Sequence, residues 1–253
     1  MPKAPTPRER VRAEFTREIK DAARRHLAEH GPAGLSMRTL AKDVGLVSAS
    51  ALYRYYPGRD ALLTALIADA YDALGGAADA AADPFDGTDH AGRWLAVCRA
   101  VRDWALAHPH EFALVHGSPV PGYTAPEDTT GPGTRLPLLI GRLFQEAAAA
   151  GAYRPLGDPA VPAPARAALA PLLDRLPPGT PAHLVVSALA AWSDLLGALA
   201  LELFGHLARI TTDPGAYFDH LMRRYQREPR AMPNTPSSPQ LPSSGLTVRI
   251  APR

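Results

Sequence analysis

Apolar residues recur at helical spacing along most of the chain, and the alternation that is typical of β-strands is scarce. The first helical stretch begins at Thr6-Pro7-Arg8-Glu9, where an N-cap threonine, a proline at the first helical position and a glutamate at the third form a capping box. Apolar side chains follow at positions 11, 15, 19, 22 and 27, on one face of a helix that Gly31-Pro32 ends. The pattern therefore predicts an all-α fold.

Three more helices are predicted in the next part of the chain. Ser36 can cap a short second helix that ends at Gly45, and Ser48 can cap a short third one with Leu52 and Tyr56 on its inner side. Gly45 suits the sharp turn between them, because a residue without a side chain adopts a left-handed conformation most easily. A fourth helix is expected from about residue 60 to residue 74, ending at Gly75-Gly76.

The rest of the chain predicts a helical body followed by a tail. Helices are expected at about 89–107, 109–116, 134–150, 164–175, 181–208 and 214–227. After Pro229 the sequence is rich in Pro, Ser and Asn and buries too little apolar surface to order itself. We therefore expect a head with its N-terminal arm at 1–60, a body at 61–228 and a disordered tail at 229–253.

Charge is unevenly distributed between head and body. Residues 1–60 hold 12 Lys and Arg against 7 Asp and Glu, and the remaining residues hold 15 against 18. A basic head on a slightly acidic body is the electrostatic pattern of a nucleic-acid binder, although a solvated basic helix would produce the same pattern. The single cysteine, Cys98, excludes an internal disulfide framework and a thiolate metal cluster.

The sequence also bears on location. Its first eight residues contain no apolar segment of the kind a signal peptide needs. The long apolar stretch at 184–208 contains Asp194 and Glu202, and a carboxylate at the centre of a bilayer is costly. We expect a cytoplasmic protein with no membrane partner, in which this stretch is a buried helix.

Three short helices joined by tight turns are typical of a trihelical DNA-binding unit, because the major groove admits one helix and a second must hold it at an angle. Residues 35–46 and 48–63 resemble the helix-turn-helix of the tetracycline-repressor (TetR) family, with Leu52-Tyr53, two further residues and the aromatic Tyr56 before the next helix. The likeness covers residues 8–66 and places the helix-turn-helix at 36–56. It implies a ligand-responsive transcriptional regulator, commonly a repressor, that binds double-stranded operator DNA as a homodimer and is not an enzyme.

One residue departs from the family pattern. Eight positions separate Gly45 from Tyr53, where the family has seven, so Val47 is an extra residue in the turn or at the start of the third helix. The insertion leaves open which of Ser48, Ala49 and Ser50 face base edges.

The resemblance implies a set of DNA-contacting positions. Ser36 and Thr39 lie near the start of the second helix, where backbone amides favour a phosphate. Arg54 could contact guanine, although a phosphate contact or a surface salt bridge are alternatives. The full set comprises Ser36, Arg38, Thr39, Ser48, Ala49, Ser50, Tyr53, Arg54, Tyr55 and Arg59.

A dimer surface and an effector pocket are expected in the body. Symmetric regulators place two recognition helices about one DNA turn apart, so a self-complementary helical surface is needed. Small and apolar residues of the last two helices are the candidates, with burial inside one chain as the alternative: Ala188, Ala191, Leu195, Gly197, Ala198, Tyr217 and Leu221.

The body further resembles a TetR subgroup with Trp, His and Gly signatures, at residues 108–117 and 192–203. This likeness implies a pocket for a small, apolar or aromatic effector, with core packing as the alternative for each of its residues. The candidates are Trp94, Trp104, Phe112, His116, Phe144 and Trp192.

Two other classes of function are compatible with parts of the sequence. His26/His30 and Glu202/His206 have the spacing of zinc ligands on a helix, but two ligands do not make a site, and we expect no metal and no cofactor. Catalysis would need a nucleophile with a base or a metal cluster. A sequence-independent nucleic-acid binder is the second alternative, and its specificity ratio would distinguish it from a regulator.

Overall fold

The computed structural model describes residues 6–85, 87–126, 130–153 and 160–226, so the predicted tail at 229–253 lies outside the described residues. These residues contain helices and no strands, as the sequence predicts. The helices are α1 (Pro7–His30), α2 (Met37–Asp43), α3 (Ala49–Leu52), α4 (Arg59–Ala82), α5 (His90–Ala107), α6 (Pro109–His116), α7 (Thr130–Ala149), α8 (Ala163–Ala168), α9 (Ala170–Leu173), α10 (Ala182–Leu203) and α11 (Pro214–Arg223).

The head consists of α1–α3 and the first half of α4. The capping box of α1 forms as predicted, with Thr6 Oγ1 accepting from the Glu9 backbone and Glu9 accepting from the Thr6 backbone. The core of the head is made by fully buried aliphatic side chains such as Ile19, Leu40 and Leu52. Each such side chain contributes roughly 1.5–3 kcal/mol through its removal from water.

The fourth helix does not end at Gly75-Gly76, as the sequence pattern suggested. It continues to Ala82, and Gly75 is buried where α7 crosses it. A Cβ at Gly75 would lie 2.5 Å from the Cδ of Arg135 on α7, so glycine allows the two helices to approach. Arg135 then donates to Asp79 at 2.7 Å and to the Asp72 carbonyl at 3.4 Å.

The body is a bundle in which α4, α5, α7, α10 and α11 surround one core. Trp94 and Phe144 are fully buried at its centre, with their rings edge to face and their centroids 5.6 Å apart. The indole nitrogen of Trp94 donates to the Met222 carbonyl at 2.8 Å, which satisfies the polar atom that this large side chain brings into the core.

Other helix boundaries differ from the sequence expectation. α7 begins earlier than expected, at residue 130, and accommodates Pro137 in its interior. The expected helix at 164–175 is divided into α8 and α9 around Leu169. α10 ends at Leu203 and not at 208, because Gly205 takes a left-handed conformation at φ 78°.

Head and body are joined by ion pairs between α1, α4 and α6. Arg24 of α1 donates to Glu111 of α6 at 2.9 Å and to Asp69 of α4 at 3.1 Å. Lys20 also pairs with Asp69, at 2.8 Å. Burial lowers the pKa of Arg24, but the neighbouring carboxylates outweigh that effect and hold the guanidinium's pKa above its ordinary value. A displacement of α4 or α6 would therefore act on α1.

Two helices, Arg59–Ala82 and Ala182–Leu203, are long and apolar enough to cross a membrane by length and composition alone. Both pack within the helical bundle in this fold. The carboxylates in α10 have partners on other elements: Glu202 accepts from Arg102 at 2.9 Å, and Asp194 accepts from the Tyr225 hydroxyl. Each helix therefore packs against the bundle on one side, and the expectation of a buried helix at 184–208 holds for one side of α10 only, because its other side is exposed.

Candidate nucleic-acid interface

The turn between α2 and α3 is fixed by its backbone. Gly45 takes φ 72°, which confirms the left-handed turn predicted for it. The Gly45 N–H donates to the Lys42 carbonyl, and the Leu46 N–H donates to the Ala41 carbonyl at 2.8 Å. These bonds close the end of α2 and direct the chain toward α3.

Val47 lies in this turn and is fully exposed to solvent. The helix after it begins at Ala49, and its inner side packs on the core of the head: Leu52 is fully buried and Tyr56 nearly so. The result is an apolar side chain beside the start of α3, which the candidate DNA contacts did not include.

Exposure divides the predicted α3 contacts into two groups. Ser48, Ser50, Tyr53 and Arg54 are exposed, whereas Ala49 is partly buried. Ser48 occupies the N-cap position but makes no capping bond, because its hydroxyl meets that of Ser50 at 2.7 Å. The four exposed side chains are free to meet a partner, and we call them the α3 face.

Tyr55 is held against α1. Its ring packs on Phe15 with centroids 5.1 Å apart, and the Arg12 guanidinium lies 5.4 Å from the ring centre. Arg12 also donates to the Arg54 carbonyl at 3.5 Å. The exposed Arg12 thus lies beside the α3 face and is a cation that sequence reasoning missed. Its position off the apolar stripe of α1 was the available signal.

The remaining predicted contacts lie at the starts of α2 and α4. Ser36 caps α2 by accepting from the Thr39 amide at 3.4 Å, and Arg38 and Thr39 are exposed in the first turn. Arg59 is partly buried, and its guanidinium donates to the Pro32 carbonyl at 2.8 Å. This bond ties α4 to the turn after α1, so Arg59 does not extend freely toward a phosphate.

The predicted pocket residues are not gathered around one cavity. Trp94, Phe112 and Phe144 are fully buried in the core of the body, where packing leaves them no exposed surface. Trp104 stacks on His108 with ring centroids 5.1 Å apart. For the three fully buried rings, the structure favours the core-packing alternative.

His116 is partly buried between Phe112 and Tyr71. Burial lowers its pKa to about 4, so the ring is neutral at physiological pH. Its Nε2 atom has no hydrogen-bond partner among the described residues.

Two cavities flank the body. One, of about 460 Å³, lies where α4 and α6 meet the loop after α6, and includes Tyr71, Val115 and Tyr123. The other, of about 410 Å³, lies between α7, α9 and α10, and Trp192 is the one predicted pocket residue that lines it. Both volumes fall in the range of ligand pockets, roughly 300–1,000 Å³.

The predicted dimer residues also separate by burial. Ala191 and Leu195 are fully buried in the chain's own core, so they cannot meet a second copy, and Ala198 is almost as buried. Gly197 and Tyr217 are exposed, and Ala188 and Leu221 are partly buried. The exposed side of α10 instead carries a stripe at helical spacing, the α10 stripe: Val186, Ala190, Ser193, Gly197, Leu201 and Phe204.

Two of the four candidate metal ligands, His26 and Glu202, have other partners. His26 is buried against the Asp43 carboxylate, which joins α1 to α2, and Glu202 is paired with Arg102. Within the described residues, no group of three or more His, Cys, Asp or Glu could hold a metal ion. Cys98 is buried in the body, and burial raises the pKa of its thiol well above the ordinary value.

Two family descriptions match this chain. Residues 19–66 match the bacterial regulatory proteins of the tetR family, and residues 94–225 match the tetracyclin repressor-like C-terminal domain. The HTH-type transcriptional regulators Rv1816 of Mycobacterium tuberculosis and Mb1846 of Mycobacterium bovis are each 39% identical over 216 residues, which cover 83% of this chain and 89% of the relative.

Solved structures agree with these matches. The regulatory protein SCO4313 is similar with a TM-score of 0.71 and 36% identity, over 87% of this chain and 98% of that one. A protein of unknown function from Rhodococcus sp. RHA1 is similar with a TM-score of 0.62 and 27% identity, over 84% and 96%. A tetR-family regulatory protein from Rhodococcus RHA1, with a TM-score of 0.61 and 17% identity over 84% and 97%, shares the fold.

Proposed function

The chain belongs to the TetR family and is a DNA-binding transcriptional regulator, and we propose that it acts as a ligand-responsive repressor that binds a palindromic operator as a homodimer. The α3 face carries this proposal. Ser48, Ser50, Tyr53 and Arg54 are exposed together at the end of a basic head, while Leu52 and Tyr56 fix the opposite side of the same segment in the core.

Each group on the α3 face suits a part of DNA. Ser48 and Ser50 offer short hydroxyls that can reach base edges, and Arg54 offers a bidentate donor for guanine. Tyr53 suits the backbone or groove wall. Arg38 and Thr39 at the start of α2, together with Arg12 beside α3, supply phosphate contacts that position the head without reading sequence.

Dimerisation follows from the geometry of DNA, since one short helix reads few base pairs and two-fold symmetry doubles the contact. The α10 stripe supports a partner at this face, because its middle consists of three small residues that allow close approach, and exposed apolar side chains lie on either side of them. Gly197 and Tyr217 of the predicted interface lie on exposed surface that a second copy could cover. Half-sites would then be roughly 34 Å apart.

The ligand response rests on the ties between body and head. An effector that binds better to one arrangement of the body shifts the population toward that arrangement. Because Arg24 bonds to both Asp69 of α4 and Glu111 of α6, a shift of either helix alters the angle of the head. The spacing of two recognition helices would change, and with it the affinity for the operator.

Finer assignments belong to the same proposal. The head at 1–60 binds DNA and the body at 61–228 binds effector and partner, in the cytoplasm and without catalytic activity. The Trp-His-Gly subgroup is supported by the signature residues at 108–117 and 192–203. An apolar effector is supported by the apolar lining of the cavity that Trp192 borders.

Selection of bound sequences from a random pool of double-stranded DNA tests this function. We expect enrichment of one short palindrome, bound at least ~10³-fold more tightly than random DNA. Recovery of sequences without a common motif would favour the sequence-independent binder and refute the regulator of a defined operator. Size-exclusion with light scattering would give a dimer, and a monomer at micromolar concentration would contradict the α10 interface.

A further inference from the structure

The cavity between α7, α9 and α10 is a slot between two helix faces. Gly141 and Arg142 belong to the α7 wall, and Leu184 and Trp192 to the α10 wall. Leu172 and Leu176, on α9 and the turn after it, close one side. From Leu184 to Trp192 the α10 wall runs roughly 12 Å at the α-helical rise, so the slot suits an elongated molecule.

Most of the side chains that line the slot are aliphatic, which favours an aliphatic occupant over an aromatic one. Trp192 is the single aromatic residue among the described lining residues. Its indole Nε1 is buried and has no hydrogen-bond partner among the described residues. This atom is closed off from solvent and therefore from the slot, so Trp192 adds apolar ring surface to the lining.

The charge of the lining is one-sided. Arg142 is the one charged side chain among the described residues that line the slot. Its nearest carboxylate is Asp79 at 3.7 Å, and its own side chain is 56% exposed, so this ion pair is weak. An anionic group bound in the slot would be attracted by Arg142. A cationic group would be repelled by Arg142 and would find no carboxylate among the described lining residues.

We propose that this cavity is the effector site and that it binds an elongated aliphatic carboxylate, with the chain between α7 and α10 and the anionic end at Arg142. This assignment rests on the ligand-responsive function proposed above and names its ligand class. Binding at this site would also be coupled to α4, which connects the body to the head. Arg142 and Arg135 both reach Asp79 of α4, so a carboxylate that draws Arg142 away acts on the α7–α4 contact.

Calorimetry on the full chain tests the ligand class without DNA, with decanoate, decanol and decylamine as probes of matched length. We expect saturable binding of decanoate, about two- to fivefold tighter than decanol, and weaker binding of decylamine than of either, because an ion pair with a half-exposed guanidinium is worth no more than about 1 kcal/mol. Arg142→Gln should bring decanoate to the affinity of decanol. Equal affinities of the three probes for the unmodified chain would overturn the anion preference.

A pair of glycine substitutions tests the location. A Cβ at Gly141 would meet open space among the described residues, so Gly141→Leu fills the slot without a clash, and decanoate binding should weaken at least ~10-fold. Gly131→Leu is the control, because Gly131 is exposed in the same helix, is not among the residues that line the slot, and also faces open space. Unchanged decanoate binding in a folded Gly141→Leu would overturn the location.

Tryptophan fluorescence gives an independent reading. Decanoate should change the emission of the unmodified chain, and Trp192→Phe should remove that change while Trp94 and Trp104 still emit. A change that persists in Trp192→Phe would contradict the site. Operator affinity in the absence of ligand is measured on the same preparations. A chain that binds its operator but not decanoate would overturn the assignment of this cavity only. A chain that does not bind an operator would count against the proposed function and not against the cavity.

Discussion

Gly75 and Gly76 are adjacent in the interior of α4 but face different surroundings, and alanine at each should have opposite effects on stability. A Cβ at Gly75 would lie 2.5 Å from the Cδ and 2.9 Å from the Cγ of Arg135. At Gly76 the nearest atom outside its own helix is an Arg135 guanidinium nitrogen at 3.9 Å, which is ordinary contact. The pair therefore separates helix propensity from packing.

The magnitudes follow from these two distances. Alanine in place of glycine inside a helix stabilises by about 0.5–1 kcal/mol, because the unfolded chain loses freedom. Gly76→Ala should gain that amount. Gly75→Ala gains it too but pays for overpacking, which costs about 1–3 kcal/mol, and Arg135 must also leave Asp79. The net expectation is a loss of about 0.5–2 kcal/mol for Gly75→Ala.

Urea unfolding followed by circular dichroism measures both variants at one protein concentration, since association would shift the midpoint. Arg135→Ala in the Gly75→Ala background serves as the control, because it removes the Cδ and Cγ atoms that the new methyl group meets most closely and keeps only the Cβ at 3.2 Å. The double variant should recover most of the loss that Gly75→Ala causes beyond Arg135→Ala alone. Equal stabilities of the two single glycine variants would refute the argument that α7 requires a glycine at position 75.

Three further predictions concern coupling, pH and the turn. Glu111→Gln should lower the free energy of unfolding by about 1 kcal/mol, and in an Arg24→Gln background most of that loss should vanish, as a double-mutant cycle would record. His116 has a folded pKa of about 4 and an ordinary value of 6.5, so the unfolded chain binds its proton first as pH falls. Stability should therefore decline from about pH 6.5 to pH 4, and His116→Phe should flatten that part of a melting-temperature profile; an unchanged slope would contradict it. Val47→Ser should weaken operator binding several-fold if the exposed valine meets a thymine methyl group, with little effect on random DNA in a binding titration.

The sequence predicted local features well because short-range chemistry determines them. The α1 capping box and the left-handed turn at Gly45 involve neighbouring residues only, and both are present. The end of α4 was predicted wrongly because glycine at 75 serves a contact with α7, and nothing near it in the sequence reports a helix that lies far along the chain.

In the candidate site, too, local features could be predicted from the sequence and tertiary contacts could not. Helical spacing places Leu52 and Tyr56 inward, and that prediction is confirmed by their burial. Spacing cannot tell a core aromatic from one that borders a cavity, because both lie on the apolar side of their helices. Trp94 and Trp192 differ only in what packs against them, which the tertiary fold decides.

The central claim, that the α3 face reads a defined operator, is tested most directly by fluorescence anisotropy with the selected palindrome and a scrambled duplex. Arg54→Ala should weaken palindrome binding by about 1–3 kcal/mol and leave the scrambled duplex nearly unaffected. Arg166→Ala, which removes the same charge from the exposed helix α8 of the body, should change neither. Equal weakening on both duplexes would assign Arg54 to a phosphate, and equal affinity of the unmodified chain for the two duplexes would contradict the claim.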